Sequence, residues 1–426
     1  MKYISPLPAL LFACSLAPVP AFALGGPTME YDHGDPTGEE QQMLEMINRA
    51  RHNPAAEGQR FLDTTDQEVV GAINYFTQYY NMDIEAVAAE FATYAPRPAM
   101  AFNSALMDVA YGHALYMCSI DQQTHDRVDS ATNSEAFSDS FVNAGYNPSS
   151  WKGENVFARS LSEWYGHAAL NIDWGGGPYS VNGIQFPPGH RRTIMGLLKY
   201  PGDPNNYTYP DYREVGIAII PYTSGPEVEV PLGPLVISQD FGRVSTDTFL
   251  LGVVYNDSDG DGFYTPGEGV SGVTVMPASG DYYAVTSASG GYAIPFSGHS
   301  GPVLLTISGG GLSSRDVTVM MEGENVKVDV IDGQVVNDSH WRETPVLADY
   351  IKNSNVGLIR DITWPWTFHY GKGSWLHFQY AKRIDTALEG QLVYISGDSG
   401  HWGWTRDDMG PWYYDYNNGA WKRLAP

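Results

Sequence analysis

The chain has 426 residues, with 24 Lys+Arg against 49 Asp+Glu and a net charge of −25. That length gives room for two to three domains. The negative field excludes nucleic acid and anionic lipid surfaces as natural partners, because both would be repelled. Two cysteines, Cys14 and Cys118, are present.

Residues 1–23 combine a charged start, a short apolar run and Ala21-Phe22-Ala23, the layout of a secretory signal peptide cut after Ala23. An alternative reads Leu11-Phe-Ala-Cys14 as a loose lipoprotein box with Cys14 lipidated. No stretch offers eighteen or more uninterrupted apolar residues, so no transmembrane segment is expected. The expectation is a secreted or surface-associated protein. With Cys14 lost in the leader, only Cys118 remains, so no internal disulfide can form.

After a linker over 24–36, a helix-rich segment spans 37–243. Thr37-Gly-Glu-Glu40 is a capping box, and Met43, Met46, Ile47 and Ala50 follow at helical spacing up to Pro54. A second helix carries Leu106, Val109, Ala110, His113, Ala114 and Met117 on one face. A third covers about 160–174, with Leu161, Trp164, Tyr165, Ala168, Ala169 and Ile172 as its apolar stripe. His113 falls within an apolar stripe and reads as a packed core histidine; His167 falls opposite its stripe and reads as solvated. Runs at 214–220 and 235–241 read as strands. Helices first and strands last predict an α+β unit in which helices cover an antiparallel sheet.

Three settings carry chemistry-bearing residues: His125 in Gln-Thr-His-Asp, Glu154 in Gly-Glu-Asn-Val, and His190 in Gly-His-Arg-Arg. Imidazoles and a carboxylate that converge can hold a divalent metal, bind a polar ligand or move protons. The landmarks Met43–Arg51, His125, Gly145-Tyr146, Gly153-Glu-Asn155, Trp174, Gly189-His-Arg191, Glu214-Val-Gly216 and Gln239-Asp-Phe-Gly242 stand in an order that resembles the CAP superfamily. That family comprises cysteine-rich secretory proteins, antigen 5 and pathogenesis-related proteins, and the likeness is to its cysteine-poor bacterial branch. It covers about half the chain. It implies an α-β-α sandwich with a central cavity lined by His125, Glu154 and His190. Many members carry a second glutamate two residues before the tryptophan. That position is Ile172 here, with Asp173 next door but turned about 100° around a helix, so the fourth acid reads as absent or displaced. Insertions at roughly 62–100 and 175–188 exceed what the core needs, and the second is expected to rim the cavity.

Residues 247–331 form a second unit. Asp257, Asp259, Asp261 and Glu268, with Gly262, match the calcium-loop pattern D-x-D-x-D-G-x5-E. The three aspartates and Glu268 would give side-chain oxygens and Phe263 its backbone oxygen to Ca²⁺. The flanking runs, Phe249–Tyr255 and Val270–Val275, are strand-like rather than helical, so the unit reads as an all-β sandwich. It resembles the B-type repeat domains of Gram-positive surface adhesins, which implies a spacer or stalk.

A second linker, 332–345, leads to residues 346–426, dense in Trp, Tyr and Phe with glycine turns between. These read as a small module of imperfect β-hairpin repeats. Its aromatics serve first as its own core, with surface attachment as the functional variant.

The sequence lacks Gly-x-Ser-x-Gly and His-Glu-x-x-His. The leading expectation is therefore a non-enzymatic extracellular binding protein, whose His/Glu cavity holds a small ligand, Zn²⁺ or another divalent cation. The rivals are a metal-dependent hydrolase using His125, Glu154 and His190, and a calcium-stabilised adhesive protein.

Overall fold

A computed structural model describes residues 26–127, 137–147, 149–197, 210–244, 248–296, 298–321 and 323–337, and beyond them the strands within 346–423. The expected signal peptide over 1–23, including Cys14, lies outside the described residues. The chain is a mixed α+β protein. No described helix is long and apolar enough to cross a membrane.

After β1 (Met29–Glu30), the first unit opens with α1 (Gly38–His52), α2 (Pro54–Leu62), α3 (Gln67–Tyr80) and α4 (Ile84–Phe91). Next come β2 (Ala101–Phe102), α5 (Ser104–Ile120), α6 (Phe137–Asn143), β3 (Trp151–Ser160) and α7 (Glu163–Ala168). A π-helical turn over Ala169–Asp173 follows, then β4 (Ser180–Val181), β5 (Ile184–Gln185), α8 (Gly189–Met195), β6 (Glu214–Pro221) and β7 (Leu235–Arg243). The Thr37 capping box is formed in full: its hydroxyl accepts from Glu40 N–H, and the Glu40 carboxylate accepts from Thr37 N–H.

The sheet runs β2-β6-β7-β3, antiparallel except for β2 on β6. Alternate residues of a strand face opposite sides, and both sides are covered. Ile217, Ile219 and Phe241 join Met43, Ile47 and Phe61 from α1 and α2 in one core. Val156, Ala158 and Ala218 pack with Ala110, Ala114 and Met117 of α5 in another. Gly216 permits the second contact: a Cβ there would lie 2.0 Å from the Leu106 backbone.

The third helix differs from its sequence reading. It is α-helical only to Ala168 and widens into the π-turn, ending at Asp173 with φ of 61°. His167 is also not solvated. It is fully buried, because α2 covers that side and presents Glu57, whose Oε1 lies 3.0 Å from His167 Nε2. A buried ring is tolerated when a polar partner replaces water. His113 is buried as expected, with Nε2 2.8 Å from the Thr124 carbonyl.

The second unit is a pair of sheets enclosing one core that includes Val254, Val273, Ile294, Leu305, Val319 and Val328. Its strands are β8 (Phe249–Tyr255), β9 (Val273–Pro277), β10 (Tyr282–Val285), β11 (Gly291–Pro295), β12 (Gly301–Gly309), β13 (Leu312–Met321), β14 (Val326–Ile331) and β15 (Gln334–Asn337). One sheet is ordered β1-β10-β9-β12-β13 and the other β11-β8-β14-β15. The segment expected to be a plain linker thus contributes β1, which pairs in parallel with β10, Met29 opposite Tyr282.

The two units share buried surface. Ala99 and Ala101 pack with Phe249, Leu251 and Ala293. Lys327 of β14 donates to Glu45 of α1 at 2.9 Å and also to Asp329. Asn325 Nδ2 donates to the carbonyls of Ala99 (2.9 Å) and Arg213 (2.8 Å). A pure spacer would need no such buried polar matching; this unit is fastened along the first.

The third unit is a nine-stranded antiparallel meander: β16 (Val346–Ala348), β17 (Ile351–Ser354), β18 (Gly357–Thr363), β19 (Trp366–His369), β20 (Ser374–Lys382), β21 (Glu389–Ile395), β22 (His401–Thr405), β23 (Trp412–Asp415) and β24 (Ala420–Arg423). Each strand pairs with the next, as consecutive hairpins require.

Candidate functional site

Glu154 sits on β3 opposite Asp240 of β7. Its Oε1 accepts from Nδ1 of His125 at 2.7 Å, and its Oε2 accepts from Arg127 Nη2. The same Arg127 nitrogen donates to Asp240 Oδ1 at 3.1 Å. The Glu154 side chain is almost wholly buried, whereas that of His125 is 59% exposed. Burial alone would raise the Glu154 pKa, but hydrogen bonds from His125 and Arg127 and the nearby His113 hold it at about 2. Asp240 goes the other way: burial and the Glu154 charge push it well above the usual carboxylate range. Of two acids facing one guanidinium, Glu154 keeps the charge.

Ionised Glu154 can only accept. His125 must then carry a proton on Nδ1, which commits that nitrogen to the carboxylate and leaves Nε2 on the other side of the ring. Both Glu154 oxygens are engaged, so this carboxylate stands behind His125 and orients it.

His190 opens α8. Its Nδ1 lies 2.7 Å from Asp173 Oδ1, and its backbone N–H donates to Asp173 Oδ2 at 3.0 Å. Burial opposes protonation of His190, but the Asp173 charge and hydrogen bond outweigh it, and the pKa is raised. An acid thus stands beside His190, where the sequence reading left one absent or displaced. The π-turn, one residue wider than an α-turn, swings Asp173 out of the position an unbroken helix would give it. Arg191 secures the turn by donating from Nε to Asn171 O (2.6 Å) and from Nη2 to Ile172 O (2.5 Å). Its Nη1 pairs with Glu90 of α4 at 2.8 Å.

Sequence reasoning placed His125, Glu154 and His190 together. The structure organises them as two imidazole–carboxylate pairs, His125–Glu154 and His190–Asp173. Asn155 links the two stretches, donating to Gln239 Oε1 (3.2 Å) and to the His190 carbonyl (3.4 Å). Among the described residues, these groups do not form a cluster of three donor atoms within 4.8 Å. Arg127 and Asp240 escaped the sequence reading; Asp240 lay in the Gln239-Asp-Phe-Gly landmark and could have been found there.

In the acidic loop, one carboxylate oxygen from each of Asp257, Asp259 and Asp261 lies within 4.8 Å of the others. Asp257 also accepts from the N–H groups of Gly260 and Gly262, and Gly262 takes the left-handed conformation with φ of 75°. Glu268 does not join the three. Its Oε1 accepts from Ser258 N–H (2.8 Å) and its Oε2 from Thr265 N–H (2.8 Å), closing the loop on itself. The Phe263 ring lies under the Arg49 guanidinium of α1, 4.4 Å from centroid to Cζ.

No family model matches this chain, and neither the curated proteins nor the solved structures offer a match.

Proposed function

We propose that this chain is an exported, CAP-type binding protein, without enzymatic activity, whose two paired imidazoles receive a divalent cation or a small polar ligand. The observation that carries the reading is the shared polarity of the pairs. In each, Nδ1 faces a buried carboxylate, which reserves Nε2 for something else. Histidines that ligate zinc are commonly anchored in this way, since a carboxylate on the far nitrogen fixes the tautomer and raises ligand basicity. The donor set suits Zn²⁺, with His125 and His190 as ligands and Glu154 and Asp173 behind them. The landmark order and the helix-covered sheet support the CAP assignment and its α-β-α sandwich.

The hydrolase reading loses ground on one point. It needs Glu154 as a third ligand or as a free base, and both of its oxygens are taken by His125 and Arg127. Metal analysis of the purified full chain tests the proposal, with zinc titration of wild type, His125→Ala and His190→Ala. We expect uptake that both substitutions weaken. Uptake indifferent to both, with no polar ligand displaced by either, would overturn it. Turnover of a candidate substrate that disappears in both variants would restore the hydrolase.

For the second unit we propose Ca²⁺ held by Asp257, Asp259 and Asp261, with the Phe263 carbonyl and a reoriented Glu268 completing the shell. Three carboxylates at this separation repel one another unless a cation or protons intervene.

A further inference from the structure

One surface of the first unit is built from two stretches without charged side chains. Charged residues make up 17% of the sequence, yet the spans 69–82 and 174–189 contain no Asp, Glu, Lys, Arg or His. The first span is most of α3 and the second is the β4–β5 hairpin. They pack together: Phe76 stacks on Trp174 with centroids 5.9 Å apart and planes at 15°, and Gly176 lies so close to Tyr80 that a Cβ there would stand 2.6 Å from its ring. The two stretches therefore form one continuous face.

That face exposes aromatic rings. Tyr179 is 80% exposed, Tyr79 63% and Tyr75 49%, and Phe186, whose N–H donates to the Tyr179 carbonyl, is 38% exposed. Tyr75 and Tyr79 are neighbours, their centroids 5.0 Å apart. The exposed polar groups on the same two stretches include the amides of Asn74, Gln78 and Asn182. Clustered exposed aromatics mark interaction sites, and tyrosine offers an apolar face with a hydrogen-bonding tip.

We propose that this face binds a neutral polysaccharide. A pyranose ring has an apolar C–H face that stacks on an aromatic ring and a rim of hydroxyls that pairs with amides and phenols. Charge matching selects the neutral polymer. On a chain of net charge −25, an anionic glycan would be repelled, and a cationic one would find no carboxylate on this face to pair with. The proposal does not depend on what occupies His125 and His190, because no residue of either imidazole pair belongs to the face.

The test is retention of the full chain on insoluble cellulose, a β-1,3-glucan and a mannan, with polygalacturonate as the anionic control. The Tyr79→Ala/Tyr179→Ala double variant is measured alongside, and melting curves of both are recorded. Tyr179→Ala alone, with its ring 80% exposed, covers the case in which the double variant folds poorly. Retention of the wild type by at least one neutral polymer, unchanged between low and high salt, is expected. The double variant should bind at least about tenfold more weakly, as expected when rings stacked on a flat ligand are removed, and Tyr79→Trp should bind as well as wild type. No retention on any neutral polymer overturns the proposal. So does equal retention of the tyrosine variants, which would put the binding elsewhere in the chain. Retention on polygalacturonate alone, or self-association of the chain that the double variant abolishes without any glycan retention, overturns it as well.

Discussion

Asp173 Oδ1 and His190 Nδ1 meet at 2.7 Å across the base of the β4–β5 hairpin. The two residues bracket the hairpin in sequence, so their pairing both closes it and orients the imidazole. Asp173→Ala should lower the His190 pKa by one unit or more, since an adjacent opposite charge is worth about 1–3 units. NMR titration of the imidazole protons reads this directly. Because the folded pKa is raised, the pair stabilises the fold fully below the ordinary histidine pKa. That contribution is lost as pH rises through the folded value. Urea melts at acidic and alkaline pH should differ less for Asp173→Ala than for wild type.

Arg127 faces both Glu154 and Asp240. Arg127→Ala strands a buried carboxylate and should cost about 3–5 kcal/mol by chemical denaturation. Glu154, held at about 2, has the opposite pH signature to His190. Its contribution is present above the ordinary carboxylate pKa and fades as pH falls toward 2. Acid unfolding of Glu154→Gln should accordingly be shallower than that of wild type. Identical acid limbs would show that the pair does not govern acid stability.

Chelation should lower the melting temperature of the wild type, and Asp259→Ala should abolish that response. A cation present at a hundredfold excess over its dissociation constant contributes about 2.7 kcal/mol. If chelator leaves the melting curve unmoved, the calcium assignment fails.

Lys327 joins Glu45 of the first unit to Asp329 of the second. Lys327→Ala leaves the buried Glu45 carboxylate uncompensated and should cost about 3–5 kcal/mol. Calorimetry should show the first two units of the wild type melting in one transition. Two well-separated transitions in the wild type would mean that the buried contact does not couple them.

Much of this was legible in the chain. Thr37 and Glu40 announced the first helix because capping is local chemistry. His125, Glu154 and His190 stood out through their settings. The partners were harder. Asp173 was discounted because an ideal helix turns it away, and periodicity cannot register a π-turn whose carbonyls are held by Arg191, a residue supplied from the next helix. His167 looked solvated because nothing in its own helix foretells that α2 will lay Glu57 over it. Glu268 fits a ligand pattern by spacing, yet spacing is silent on which hydrogen bonds its oxygens make. Local signals survive reading in one dimension; pairings supplied by distant segments do not.

The pairing of Met29 with Tyr282 sets an order on folding. A strand near the start of the chain stays unpaired until β10 has been made, although the sheet of the first unit, β2-β6-β7-β3, does not need it. Contacts this distant in sequence also form slowly. A closing strand that waits for so distant a partner leaves the second unit's sheet with an open edge along β10 until the two ends of this contact meet.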